Sequence, residues 1–230
     1  MTNKQLIFDL PLRQSQGRED YYVAQANALA LVMLDRPSNW PSGRLLLLGD
    51  PGAGKTHLAQ IWADENRAPL ISSGELEHYD APFLVSAGAV VVDDADRIAG
   101  SENHESLLLH LNNLCQAEGV RLLITARTPP RDWGMDLPDL RSRMEATASA
   151  RLLPPDDALL AAVLVKMFAD RQIHVPVTLI PWLVGRMDRS MATARALVNA
   201  LDARSLEEKR AITRSLAAEV LDSLGLDGQE

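Results

Sequence analysis

Apolar residues along this chain follow two different periods. In the first two thirds they come in short unbroken runs, Leu45 to Leu48, Ala89 to Val92 and Leu122 to Ile124. Such runs carry no polar alternation, which predicts strands buried on both faces of a parallel sheet. Pro69 to Ser72 reads as a shorter strand, and Ser73 as the cap of a brief helix through Glu77. Helical spacing fills the intervals. It predicts a helix from Gln25 to Leu34, another leaving Thr56, and a third from Asn103 to Glu118 with Leu107, Leu108, Leu111 and Leu114 on one side.

After Leu152-Leu153-Pro154-Pro155 only the helical period remains. Asp156 to Asp170, Leu179 to Met187 and Met191 to Leu201 each read as a helix. Ser205-Leu206-Glu207-Glu208 matches a capping box, predicting a last helix from there towards Leu224 with Gly225 at its exit. The fold expected is α/β: a nucleotide-binding core followed by a small all-helical lid. The expected division is a terminal tail over 1–20, the core over 21–153 and the lid over 154–230.

Composition changes this picture little. Of 230 residues, 47% are hydrophobic and 23% charged, the balance of a globular chain. A formal net charge of −8 argues against a surface that grips nucleic acid throughout, because such binding relies on clustered Lys and Arg. Cys115 is the only cysteine, and its apolar helical surroundings suit an inert buried thiol. The histidines lack metal-ligand spacing with other candidate ligands, so no zinc site is expected. Neither a signal segment nor a membrane-length apolar run is present, and a cytoplasmic protein is the default expectation.

Candidate chemistry centres on GDPGAGKT, Gly49 to Thr56, set between an apolar strand and a helical stretch. That is the context of a phosphate-binding loop. Gly49, Gly52, Ala53 and Gly54 let backbone N–H groups curl around phosphate oxygens, and the helix that follows turns its unpaired N–H groups to the anion. Lys55 is placed for the outer phosphates and Thr56 for magnesium. A glycine turn with a merely exposed lysine is the bland alternative, and the flanking strand and helix argue against it. The bound group expected is ADP or ATP with Mg2+.

Two aspartates end the second buried strand. Asp93 is expected to organise magnesium and Asp94 to orient an attacking water; alone, the pair could equally mark a helix-entry turn. Thr125 ends the next strand, where it could sense a terminal phosphate or serve only structure. In Leu137-Pro138-Asp139-Leu140-Arg141-Ser142-Arg143-Met144, Arg143 is either an exposed helix cation or a group that reaches a neighbouring subunit's ATP site. Tyr22 could meet adenine or pack in the core. At the start of the chain, Gln5-Leu6-Ile7-Phe8-Asp9-Leu10 is either a short edge strand or an extended peptide for a partner's groove, with Leu6, Phe8 and Leu10 as anchors.

Together the phosphate loop, VVVDDAD, LLITARTPP, LPDLRSRM and the helical lid resemble the AAA+ proteins related to the bacterial replication initiator DnaA, and within them the Hda family. The resemblance spans nearly the whole chain. It implies that Lys55 and Thr56 hold phosphate and magnesium, that Asp93 and Asp94 form the acidic motif, that Thr125 is the first sensor, and that Arg143 is the arginine finger. It also implies that Gln5, Leu6, Phe8 and Leu10 bind the DNA polymerase III sliding clamp, with DnaA as a second partner and DNA reached only through the clamp. A homodimer or higher oligomer is left open, no membrane is involved, and the stretch after Gly225 has no room for the initiator's DNA-binding domain. The implied function is to bind the DNA-loaded clamp and stimulate hydrolysis of DnaA-bound ATP, limiting re-initiation. A nucleotide-switched clamp adaptor and a replicative-helicase loader are the alternatives. One departure stands out: Ala192 occupies the place of the family's usual second-sensor arginine, with Arg189 and Arg195 nearby. Autonomous ATP turnover is accordingly expected to be weak or absent, with ADP as the expected bound state.

Overall fold

The computed structural model describes residues 27–225. Five parallel strands form one sheet: β1 (Arg44–Gly49), β2 (Leu70–Ser72), β3 (Ala89–Asp93), β4 (Arg121–Ala126) and β5 (Ser149–Leu152), in the order β2-β3-β4-β1-β5. Alternate residues of one strand serve opposite layers. Leu46 and Leu48 join Val90, Val92, Leu122 and Ile124 on one face, against α3 (Ala81–Val85), α4 (Glu102–Glu118) and α5 (Pro138–Glu145). Leu45 and Leu47 join Val91 and Leu123 on the other, against α1 (Ala28–Leu34) and α2 (Lys55–Asn66). Helices therefore cover both faces, which is why the central strands contain almost no polar residue.

Four helices follow: α6 (Asp157–Asp170), α7 (Leu179–Val184), α8 (Met191–Glu208) and α9 (Arg214–Leu224). They enclose a separate apolar cluster built on Leu160, Leu164, Leu183, Leu197, Leu201 and Leu216. Asp156 caps α6 by accepting the Leu159 N–H at 2.8 Å. None of the described helices is long and apolar enough to cross a membrane.

Several sequence expectations need correction. The capping-box residues Ser205 to Glu208 lie inside α8, which stops at Lys209 in the left-handed region, and Thr213 caps the final helix instead. The Ser205 hydroxyl donates to the Arg210 carbonyl, acting at a helix end rather than a start. Ser73 does not cap its short helix, since its hydroxyl donates to the Asp94 carbonyl. The α4 face that enters the core runs through Glu105, Leu108, Leu111, Asn112 and Cys115, leaving Leu107 and Leu114 only partly buried. β5 was not expected at all. Its buried residues Ala150 and Leu152 alternate with Ser149 and Arg151, as suits an edge strand paired only to β1. The helix expected from Gln25 is described from Ala28 onwards.

Candidate functional site

β1 delivers the chain to the loop at its carboxyl end, where open α/β sheets hold their ligands. Gly52 (φ +79°) and Gly54 (φ +97°) adopt left-handed backbone that a side chain would strain, and Gly49 lies so near β5 that a Cβ would meet the Leu152 carbonyl at 2.8 Å. Gly54 precedes the first turn of α2, so the loop hands over directly to the helix N-terminus. Lys55 is buried, its ammonium donating to the carbonyls of Gly49 at 2.7 Å and Asp50 at 3.2 Å. Burial pulls its pKa below the usual value, opposed by Asp94, Asp96 and Asp93.

The two aspartates occupy different environments. Asp93, nearly buried, accepts the Thr56 hydroxyl at 2.9 Å and the Thr125 hydroxyl at 2.5 Å. Parallel pairing of β3 with β4 brings these strand ends together. Asp94 takes a left-handed conformation (φ +54°) and is held from three sides. Its N–H donates to Thr125 Oγ1 at 2.9 Å, its carbonyl accepts from Ser73, and its carboxylate pairs with Arg97 at 3.2 Å and Arg127 at 4.0 Å. A non-glycine residue persists there because its surroundings overdetermine it. Thr56, Asp93, Asp94, Thr125 and Lys55 thus converge on one end of the sheet, with hard oxygens beside an ammonium and unpaired helix N–H groups. That constellation can receive a phosphate chain and its magnesium.

The lid closes over this loop. The Met191 N–H donates to the Gly52 carbonyl at 2.8 Å, and Ser190 sits against Gly52 while accepting the Thr193 N–H to cap α8. Between loop and α8 lies a cavity of about 400 Å³. Ala192 and Arg195 line it, whereas Arg189 turns away to pair with Asp157 on α6 at 3.0 Å.

Arg143 lies elsewhere. It sits in the last turn of α5, reaching Gln116 on α4 at 3.5 Å. Burial, and next the charge of Arg143, lower the pKa of Arg44, which bonds Asn112 one turn away on α4. Arg44 begins β1 and Gly49 ends it, so about 16 Å of strand separates this corner from the phosphate loop. Gln5, Leu6, Phe8, Leu10 and Tyr22 lie outside the described residues.

Sequence reasoning gave Ser73 only a capping role and missed Arg127 and Glu105. Glu105, fully buried on α4, accepts the backbone N–H groups of Gly100, Asp136 and Leu137. It thereby joins the segment after β3 to the start of the helix carrying Arg143. A glutamate amid helical leucines gives no local sign of this.

A parallel sheet with a phosphate loop and a capping helical unit defines the AAA+ class of fold. Domain III of the Thermotoga maritima replication initiation protein DnaA is similar over 93% of this chain and 98% of its own, with a TM-score of 0.78 and 20% identity. The AMPPCP-bound DnaA of Aquifex aeolicus is similar over 83% of this chain and 66% of its own (TM-score 0.66, 16% identity). The RuvB Holliday junction branch migration motor of Thermotoga maritima is similar over 93% and 74% (0.65, 19%). Residues 157–221 match the family model described as the Hda lid domain. The chain thus has an AAA+-like fold, and its helical unit is similar to the Hda lid domain over residues 157–221.

Proposed function

We propose that the chain is a regulatory nucleotide-binding protein that joins the DNA-loaded replication clamp to ATP-bound DnaA and stimulates hydrolysis of that ATP. Residues Gly49 to Thr56 bind ADP or ATP. Thr56 and Asp93, joined by a 2.9 Å hydrogen bond, would hold a magnesium ion beside the phosphates. The ion, when bound, neutralises phosphate charge; Lys55 and the α2 N–H groups orient the phosphates beside it. Asp94 and Thr125 complete the acidic end of the site, and Gln5, Leu6, Phe8 and Leu10 enter the clamp groove.

The observation that carries this reading is the position of Arg143. Lying by Gln116 and Arg44 at the entry end of β1, it is too distant to serve its own phosphate loop, and half-exposure leaves it available to a site on another subunit. An arginine supplied in trans stabilises the charge developing on the transferred phosphate. The separation of this corner from the site that would bind nucleotide supports an activator with weak or absent turnover of its own.

The test combines the purified chain, clamp-loaded DNA and ATP-bound DnaA from the same source, following the loss of DnaA-bound ATP. Stimulation that disappears in Arg143→Ala, while clamp binding persists, is the expected result. Clamp binding should in turn be lost in a Gln5→Ala, Leu6→Ala double variant. Recruitment to the clamp with unchanged ATP turnover would replace the activator with a non-enzymatic adaptor, and specific binding to the replicative helicase instead would make it a loader.

A further inference from the structure

β1 opens on an arginine. Arg44 is more than nine-tenths buried, yet its guanidinium forms no salt bridge among the described residues. One of its nitrogens donates to Asn112 Oδ1 at 2.8 Å, and Nε is buried with no hydrogen-bond partner. Arg143 stands beside it on α5, close enough for its charge to add to the burial that depresses the Arg44 pKa. Its guanidinium also reaches an amide rather than a carboxylate, Gln116 Oε1 at 3.5 Å. Asn112 and Gln116 lie one turn apart on α4, so a single helix face spaces the two guanidiniums. The C-terminal dipole of α4 favours cations there, but it amounts to about half an elementary charge against two. Elsewhere a similarly sheltered arginine, Arg171, is paired with Asp202. Burying a charge without a counter-ion is costly, and apolar residues of similar volume commonly do as well or better in such a place.

We propose that Arg44 is a positioning residue for Arg143, its uncompensated charge repelling the Arg143 guanidinium from α4 and directing it outward to an anion that a partner supplies. The proposal rests on the reading of Arg143 as a group that acts on a neighbouring nucleotide, and adds what keeps that arginine free. A carboxylate at position 112 or 116 would close a guanidinium in an ion pair that an incoming phosphate chain would have to break. Neutral amide oxygens orient both forks without neutralising them. Repulsion between the two guanidiniums is relieved when a polyanion enters the corner, so a charge that is unfavourable in the free chain favours the docked complex.

Hydrolysis of DnaA-bound ATP, followed with the full chain and clamp-loaded DNA, tests this beside urea denaturation. Arg44→Met keeps the length of the side chain and removes its charge. It should be at least as stable as the native chain, while stimulation falls about tenfold, the order expected for one unit charge acting through partly buried surroundings. Arg44→Lys should retain most of the stimulation because the charge remains. Gln116→Glu, an exposed change that offers Arg143 a carboxylate, should also lower stimulation and tests the idea without disturbing the core. Equal losses in Arg44→Met and Arg44→Lys, or a loss of stability that parallels the loss of rate, would overturn the proposal by making Arg44 a strut for Asn112. Full stimulation by Gln116→Glu would overturn it as well. Arg143→Ala in parallel separates the two levels. If Arg143→Ala abolishes stimulation and Arg44→Met does not lower it, only this proposal fails; if neither variant alters it, the reading of Arg143 fails with it.

Discussion

Met191 donates its backbone N–H to the carbonyl of Gly52 at 2.8 Å, joining the first turn of α8 to the tip of the phosphate loop across 139 residues of chain. Gly52 can make that contact because it lacks a side chain. A Cβ there would lie 2.1 Å from Ser190 Oγ, and the φ of +79° already disfavours any other residue.

Gly52→Ala should therefore cost roughly 1–3 kcal/mol from the backbone conformation, with the collision against Ser190 added. Urea denaturation measures the sum. A Gly52→Ala, Ser190→Gly double variant should regain the steric part and keep the backbone part. With the cap lost in Ser190→Gly alone subtracted, equal stability of the two variants would show that α8 does not press on the loop.

Thr125 donates to Asp93 and accepts from the Asp94 N–H inside a fully buried site. Thr125→Val keeps the shape and orphans both partners, at an expected cost of about 1–3 kcal/mol. Thr125→Ser should retain most of the stability, since the hydroxyl remains. Comparable losses in both variants, read by thermal denaturation, would assign the effect to packing of the methyl group.

Glu105→Ala leaves the backbone N–H groups of Gly100, Asp136 and Leu137 without their carboxylate and should cost about 1–3 kcal/mol. The disturbance should appear as accelerated amide exchange at Asp136 and Leu137, ahead of α5. Unchanged exchange there would mean that other groups hold this turn.

Burial raises the Cys115 thiol from its ordinary 9.0 to about 12, Arg44 opposing the effect. A raised value in the folded protein means that this stability is present below pH 9 and lost as pH rises towards 12. Native protein at pH 8 should resist alkylation that proceeds readily in urea. Rapid modification of the folded chain would place the thiol outside the core.

His57 is shifted in the opposite direction, downwards from 6.5 by burial and then by Arg195. Its contribution to stability is present above pH 6.5 and lost as pH falls through the lower folded value, because the unfolded chain binds the proton more readily. NMR titration of the imidazole should find it moved upwards in Arg195→Ala. An identical titration curve would separate the two side chains.

The phosphate loop was legible because each feature of it is local: a strand, three glycines, a lysine and a hydroxyl within a dozen residues. The buried strands were equally plain, as two-sided burial removes polar residues from them. The capping box at Ser205 misled because a helix start is read from a few residues, while α8 and α9 are divided by the left-handed Lys209 and the cap at Thr213. β5 escaped notice since an edge strand with alternating burial is too short to show a period.

By itself the sequence determined the parallel core, the loop chemistry and a helical unit after it, all consequences of side-chain periodicity and backbone freedom along neighbouring residues. Only the tertiary structure decided which distant groups meet. Parallel pairing of β3 and β4 set Thr125 on Asp93, folding of α4 against α5 set Arg143 at the far end of β1, and docking of α8 chose Arg195 over Arg189 for the cavity. These relations depend on how layers pack, and packing is governed by contacts between residues that the linear order keeps apart.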